Sequence, residues 1–285
     1  MRKILLVSLL FVLAALGVTY LVQNGRLEIP GITNNALAAG PITIDRCTER
    51  GKDQNGVDKV FQCHTAFSDD FENGIEFTED KWHKKNLQTS HGKPGDPASF
   101  AEITTDRAHS GTYSLKTYTA EDHDDLQKSG LIRAMLFFPP GSDFWYSAWY
   151  YLPSGADTEN LFLFELETTR YRNVGRRLVL GNPHGDTLYV SGKRDTGDMF
   201  YQSGTPLSFP KDRWVKVKLH MRLSPGSDGL TELWQDDAKI VEGRGRNIPD
   251  GEFYDWVSVG QTANATHHAQ TLYVDDLVIS DEPIP

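Results

Sequence analysis

Beyond residue 66 the chain alternates apolar and polar positions with a period of two. Val215, Val217, Leu219, Met221 and Leu223 alternate with Trp214, Lys216, Lys218, His220 and Arg222. That is the pattern of a strand with one face on a core and the other in water. Ser224–Gly229 (SPGSDG) interrupts it with turn formers. Leu230, Leu233 and Trp234 then resume the run as far as Gln235-Asp236-Asp237. The pattern predicts a long antiparallel hairpin. A hairpin alone is only marginally stable, so a second sheet must cover its apolar face. Phe144–Leu152 (FWYSAWYYL) alternates as well: Trp145, Ser147, Trp149 and Tyr151 share one face, and Tyr146, Ala148, Tyr150 and Leu152 the other. The pattern does not say which set points inward. Further strand-like runs are Leu131–Phe138, Leu161–Arg172, Arg177–Leu180 with Thr187–Lys193, Asp255–Val259 and Thr271–Ser280. No helical period longer than a turn follows residue 22. Short strands separated by turns predict an all-β fold, a two-sheet antiparallel β-sandwich over residues 67–285.

The N-terminus has a different pattern. Arg2 and Lys3 precede the apolar run Ile4–Val22, and Ala36-Leu37-Ala38 offers a small-x-small cleavage site. Residues 1–38 therefore read as an N-terminal hydrophobic helix, either a cleaved signal peptide or a retained membrane anchor. Both place the remainder outside the cytoplasm: secreted, periplasmic or at the cell surface. Residues 39–66 are expected to form a linker and a small hairpin closed by a disulfide between Cys47 and Cys63. A bridge over a loop of that size is worth about 3 kcal/mol, and two free thiols are the alternative. The formal net charge is −10, and residues 1–38 hold three basic residues but one acidic, so the body is more acidic still. Such a body argues against nucleic acid as a partner, because neutralising phosphates takes clustered Lys and Arg. Membrane contact is expected only through an uncleaved N-terminal segment, and the chain is expected to be a monomer.

The candidate chemistry lies in Leu161–Arg172 (LFLFELETTRYR). Glu165 and Glu167 share one face of a strand, where side chains at i and i+2 sit about 6–7 Å apart. Arg170, Arg172, Arg176 and Arg177 follow, and Tyr189, Ser191 and Lys193 share one face of a later strand. Carboxylates beside guanidinium groups form either a structural ion-pair lattice or a cleft that grips anions. Trp149 and Tyr151 are candidates for stacking on sugar rings, against the alternative that both faces of their strand are packed.

FWYSAWYYLP, LFLFELE, RWVKVKLHMRLSPGSDGLTELWQDD, WVSVGQTAN and LYVDDLVISD occur in the order seen in concanavalin A-like jelly rolls. The chain resembles polysaccharide lyases of the heparin-lyase and glucuronan-lyase type over roughly Phe67–Asp281. The resemblance implies removal of the C5 proton of a uronic acid and elimination of the 4-linked sugar. In such lyases an Arg or Gln neutralises the carboxylate, and a His or Tyr with a nearby Lys handles protons. This chain departs at two motifs. It has Glu165-Leu166-Glu167 where those lyases tend to show Gln-x-His, and Ser258-Val259-Gly260-Gln261-Thr262 where they tend to show Lys-x-Gly-x-Tyr.

On this resemblance Glu165 and Glu167 are the expected catalytic pair, with Tyr189 as proton donor. Arg177, Lys193, Trp149, Tyr151 and Gln261 are the expected substrate contacts. No cofactor is required. Jelly rolls of this kind often hold a structural calcium where first and last strands meet, for which Asp70, Glu72 and Asp276 are candidate ligands, with turn carboxylates as the alternative reading. The expected function is an extracytoplasmic carbohydrate-active protein, polysaccharide-lyase-like, whose partner is a uronate-containing polysaccharide. Two alternatives remain: a non-catalytic glycan-binding module, and a laminarinase-like glycoside hydrolase with Glu165 as nucleophile and Glu167 as acid/base.

Overall fold

The structure is a computed structural model. It describes residues 21–23, 26–28, 48–52, 58–78, 80–88, 98–169, 174–181, 185–194 and 198–285, with side chains from residue 63 onward. The chain divides into two compact units, Met1–Pro41 and Ile42–Pro285. In the first, β1 (Leu21–Gln23) pairs antiparallel with β2 (Arg26–Glu28). Most of the expected N-terminal helix lies outside the described residues, and its last apolar positions, Leu21 and Val22, are in β1. No helix among the described residues is long and apolar enough to cross a membrane.

The second unit carries, in chain order, β3 (Thr48–Lys52), β4 (Asp58–Gln62), β5 (Phe67–Asp69), β6 (Lys84–Gln88), β7 (Phe100–Thr104), β8 (Ser114–Thr119), β9 (Gln127–Arg133), β10 (Asp143–Tyr151), β11 (Leu161–Thr168), β12 (Val174–Leu180), β13 (Leu188–Lys193), β14 (Trp214–Arg222), β15 (Leu230–Gln235), β16 (Ala238–Arg244), β17 (Trp256–Asn264) and β18 (Gln270–Ser280). β3 and β4 form a small hairpin. The others build two antiparallel sheets. One has eight strands in the order β16-β15-β14-β10-β18-β8-β7, with β5 also paired to β18; the other has six in the order β13-β12-β11-β17-β9-β6. This is the all-β jelly-roll sandwich expected from the alternation. Cys63 is buried against Phe137 and Phe253; Cys47, its expected disulfide partner, lies outside the described residues.

The core lies between the sheets and follows the period of two. β10 contributes Phe144, Tyr146, Ala148 and Tyr150, and β14 contributes Val215, Val217, Leu219 and Met221. Facing them from the six-stranded sheet are Leu161, Phe164 and Leu166 of β11, Leu178 and Leu180 of β12, and Val257 and Val259 of β17. The β14–β15 hairpin runs in the expected register, with Leu219 opposite Leu233 and Met221 opposite Thr231.

The turn end of that hairpin is pinned by one buried side chain. The Asn247 amide donates to the carbonyls of Arg222 and Leu230, and its oxygen accepts from the Ser224 N–H at 2.8 Å. Asn247 is fully buried, so its loss strands three backbone groups away from water. Asn247→Ala is expected to lower unfolding stability by at least about 2 kcal/mol, read as a lower urea midpoint with an unchanged m-value.

Candidate active site on the six-stranded sheet

The face of the six-stranded sheet turned away from the core carries the charged residues. Along β11 the alternation slips between Phe162 and Phe164, where the pairing to both neighbours shifts register. Beyond the slip, Phe164 and Leu166 point into the core while Glu165 and Glu167 point outward. Register then fixes their neighbours. Glu165 lies opposite Arg177 on β12, and Arg177 opposite Ser191 on β13. Glu167 lies opposite Gly175, and Gly175 opposite Lys193. Gly175 places no side chain between Glu167 and Lys193, and any Cβ there would collide with the Leu166 carbonyl. The Lys193 stem therefore reaches over β12 to both acids.

The resulting cluster is tight. Lys193 Nζ lies 3.0 Å from Glu165 Oε2 and 2.8 Å from Glu167 Oε1. Arg177 Nε lies 2.9 Å from Glu165 Oε1, off the line of a hydrogen bond, so its N–H is left without an acceptor. Glu165 and Glu167 are buried, at 3% and 5% exposure. Burial raises both carboxyls. At Glu165 the Lys193 ammonium and the Arg177 guanidinium outweigh it and hold the group below the usual carboxylate range. At Glu167 burial and the neighbouring Glu165 charge prevail and push it up to about 7. Near neutral pH the pair thus shares one proton, an arrangement suited to proton transfer.

Tyr189 completes this side. It stands two residues before Ser191 on the outward face of β13, its ring 4.9 Å from that of Tyr201. Burial and the neighbouring Tyr201 raise its hydroxyl against the lowering pull of Arg177, so it keeps its proton at neutral pH. On the other side of Glu167, Trp256 of β17 carries the Lys84 ammonium 5.3 Å from its ring.

The structure thus brings together Glu165, Glu167, Arg177, Lys193 and Tyr189. It does not bring Trp149, Tyr151 or Gln261 to them. β10 sits between β14 and β18 in the other sheet, so its outward side chains lie on the opposite side of the sandwich. There His109 stacks on Trp149 with ring centroids 3.7 Å apart, and the Arg107 guanidinium lies 4.2 Å over Tyr151. Gln261 has the parity of Val257 and Val259 on β17 and points inward with them. Its amide donates to the Thr117 and Gln270 carbonyls and accepts from Thr119, fully buried between the sheets.

Asp70, Glu72 and Asp276 do not converge either. Asp70 accepts from the Glu72 N–H, Glu72 from the N–H groups of Thr112 and Tyr113, and Asp276 contacts His109 and Ser110. The described residues contain no group of three or more acidic, His or Cys side chains that could hold a metal ion. The first turn is closed instead by Asp69, which accepts from Phe71 N–H and from the Trp82 indole. Arg170 and Arg172 lie outside the described residues. Tyr201, Trp256 and Lys84 were not found from the sequence: Met199-Phe200-Tyr201 is a short run without alternation of apolar and polar positions, and the other two carry no distinguishing mark.

The raised Glu167 has a consequence for stability. Its folded-state value lies above that of the unfolded chain, so its contribution is complete at low pH and is lost as pH rises from about 4.5 through about 7. Glu167→Gln, which mimics the protonated acid, is expected to remove that decline. Between pH 5 and pH 8 the stability difference should shift by about 2 kcal/mol in favour of the variant, measured by urea denaturation across the range.

A family model described as polysaccharide lyase matches residues 78–278, which takes in both sheets and every residue of the charged cluster. Among solved structures, the endo-β-1,4-glucuronan lyase of the fungus Trichoderma reesei superimposes with a TM-score of 0.52 at 13% identity, covering 70% of this chain and 95% of that one. The cellulose-induced protein Cip1 superimposes with a TM-score of 0.53 at 18% identity, covering 76% of this chain and 98% of that one. At such identities the likeness is one of fold. No curated protein matches the sequence. The jelly-roll sandwich, and a family match running from Thr78 to Val278 with the acid–cation cluster inside it, place this chain in the polysaccharide lyase family.

Proposed function

We propose that this protein is an extracytoplasmic lyase that cleaves a uronate-containing polysaccharide on the outward face of the six-stranded sheet. The observation that carries the reading is the carboxyl of Glu167, balanced near neutral pH between Glu165 and Lys193, with the Arg177 guanidinium on the far side of Glu165. The apolar run Ile4–Val22 behind Arg2-Lys3 supports a place outside the cytoplasm.

In elimination the C5–H bond breaks, its electrons form the C4=C5 double bond, and the C4–O4 bond breaks with both electrons leaving on oxygen. Arg177 and Lys193 hold the uronate carboxylate and stabilise the charge that develops next to it when C5 loses its proton. Glu167, ionised, takes the C5 proton. Tyr189, still protonated and on the Arg177 side of the cluster, gives a proton to the leaving O4. Glu165 keeps Arg177 and Lys193 in place and acts through them.

The hydrolase alternative fits the geometry less well. Glu165 and Glu167 are hydrogen-bonded to each other and share one ammonium. Glycosidases hold their two carboxyls about 5–5.5 Å or about 6.5–9.5 Å apart, with the anomeric carbon between them. Carboxyls in mutual contact leave no room for it.

The test is incubation of the purified chain with glucuronan and with alginate. New near-ultraviolet absorbance from unsaturated uronides is the expected result; reducing ends without it would replace the lyase with a hydrolase. Glu167→Gln is expected to lower kcat at least about 100-fold. In the wild type, activity should rise with pH through about 7, the value of Glu167, since the base must be ionised. Tyr189→Phe is expected to reduce kcat with little change in KM, and an unchanged kcat would remove Tyr189 from the proton-donor role.

A further inference from the structure

The outward face of the six-stranded sheet does not end at β13. Val190 and Phe200 exchange both backbone hydrogen bonds, at 3.0 and 2.9 Å, so the short stretch around Phe200 runs antiparallel to β13 as a further edge. Val190 and Phe200 both belong to the core. Alternation therefore puts Met199 and Tyr201 on the opposite face, the one that carries Tyr189, Arg177 and Glu165. The contact between the Tyr189 and Tyr201 rings agrees with that placement.

This edge is held firmly from below. Arg176, fully buried, donates to the carbonyls of Asp198, Arg246 and Asn247 and lies under the Phe200 ring. Gly243 leaves the space that Phe200 fills. After Tyr201, the Gln202 side chain donates to the Leu188 carbonyl and accepts from the Leu207 N–H. Yet Tyr201 is 38% exposed and Met199 53% exposed, and the Tyr201 hydroxyl donates to the Met199 sulfur. A fixed segment that leaves an aromatic ring and a thioether in water, continuous with a charged site, is the arrangement expected of a ligand surface.

We infer that Tyr201, with Met199, forms a sugar-stacking shelf that seats a residue of the same polysaccharide away from the point of cleavage. The shelf rests on the lyase reading of the neighbouring cluster and extends it. Three strand spacings separate β11 from the Phe200 edge, about 14 Å, which sets the seated sugar apart from the one held at Glu167. Tyrosine and methionine carry no charge, so the shelf recognises the C–H face of a sugar ring and not its carboxylate. Its contribution is to binding and not to chemistry.

The experiment compares the wild-type chain with Tyr201→Ala, Tyr201→Phe and Tyr201→Trp on polymeric glucuronan and alginate and on size-fractionated oligosaccharides of each. Turnover and equilibrium binding are both measured, and thermal unfolding shows that each variant is folded. Tyr201→Ala is expected to raise KM or Kd for the polymer about ten-fold, equivalent to about 1.4 kcal/mol, with kcat within about two-fold. The penalty should disappear on oligosaccharides too short to reach the shelf. Tyr201→Phe and Tyr201→Trp should bind as wild type does. Cleavage with a KM that Tyr201→Ala leaves unchanged at every length overturns the shelf and leaves the lyase intact. Binding weakened by Tyr201→Ala without any turnover keeps the shelf and overturns the lyase. Neither binding nor turnover by the wild type overturns both.

Discussion

The candidate site depends on the ammonium of Lys193 lying between two buried carboxyls. Taking a carboxylate out of water costs several kcal/mol even after relaxation, and Glu165 and Glu167 are taken out side by side. A single cation could not compensate two full charges. The sheet supplies two, Arg177 directly across from Glu165 and Lys193 one strand further on, and Glu167 holds a proton for part of the neutral range. The gap at Gly175 makes this possible, since a side chain there would block the reach of Lys193 across β12. Register, one glycine and two acids thus form a single device.

That device is also the reason an anionic sugar suits the site. With Glu167 protonated, two cations face one carboxylate, and the cluster carries an excess positive charge. With Glu167 ionised, the charges cancel. A uronate carboxylate entering beside Arg177 adds a negative charge close to Glu167, which favours the protonated form. On the proposed reading, substrate binding and proton uptake would be linked through the field of the same four groups. In the proposed elimination, transfer of the C5 proton to Glu167 would leave the enolate-like charge on the sugar facing both cations, with less competition from the protein's own acids.

Much of this was legible in the sequence, and what was missed has physical causes. Alternation fixed the β14–β15 hairpin and put Glu165 with Glu167 and Tyr189 with Lys193, because a strand has only two sides. The same alternation could not say to which sheet β10 belongs. Trp149 and Tyr151 were read as sugar contacts, yet they lie across the sandwich, where β14 and β18 flank β10. Gln261 was placed at the site by its position in the motif, although it has the parity of Val257 and Val259, whose side chains enter the core, and alternation alone turns it inward. Asp70, Glu72 and Asp276 were offered as calcium ligands by the resemblance, but each finds backbone N–H groups or neighbouring side chains through loops whose geometry the sequence does not encode.

The two outer faces of the sandwich show how the same residue types serve different ends. On the eight-stranded sheet His109 covers Trp149 and Arg107 covers Tyr151, while His220 stacks on Trp145 with ring centroids 3.9 Å apart and lies between Asp143 and Glu232. Those rings are already partnered by the protein's own loops and strands, so they form a small second layer of packing. On the six-stranded sheet Tyr201 packs against Tyr189 and still keeps 38% of its surface exposed, on a segment fixed by Arg176 and Gln202. Covering an aromatic ring recovers its hydration cost within the fold. Leaving part of one exposed on a rigid edge keeps some of that free energy available for a ligand. An aromatic-rich strand is therefore weak evidence of sugar binding until the coverage of its rings is known. Here coverage separates the sheet whose outer rings are packed from the sheet that carries the proposed shelf.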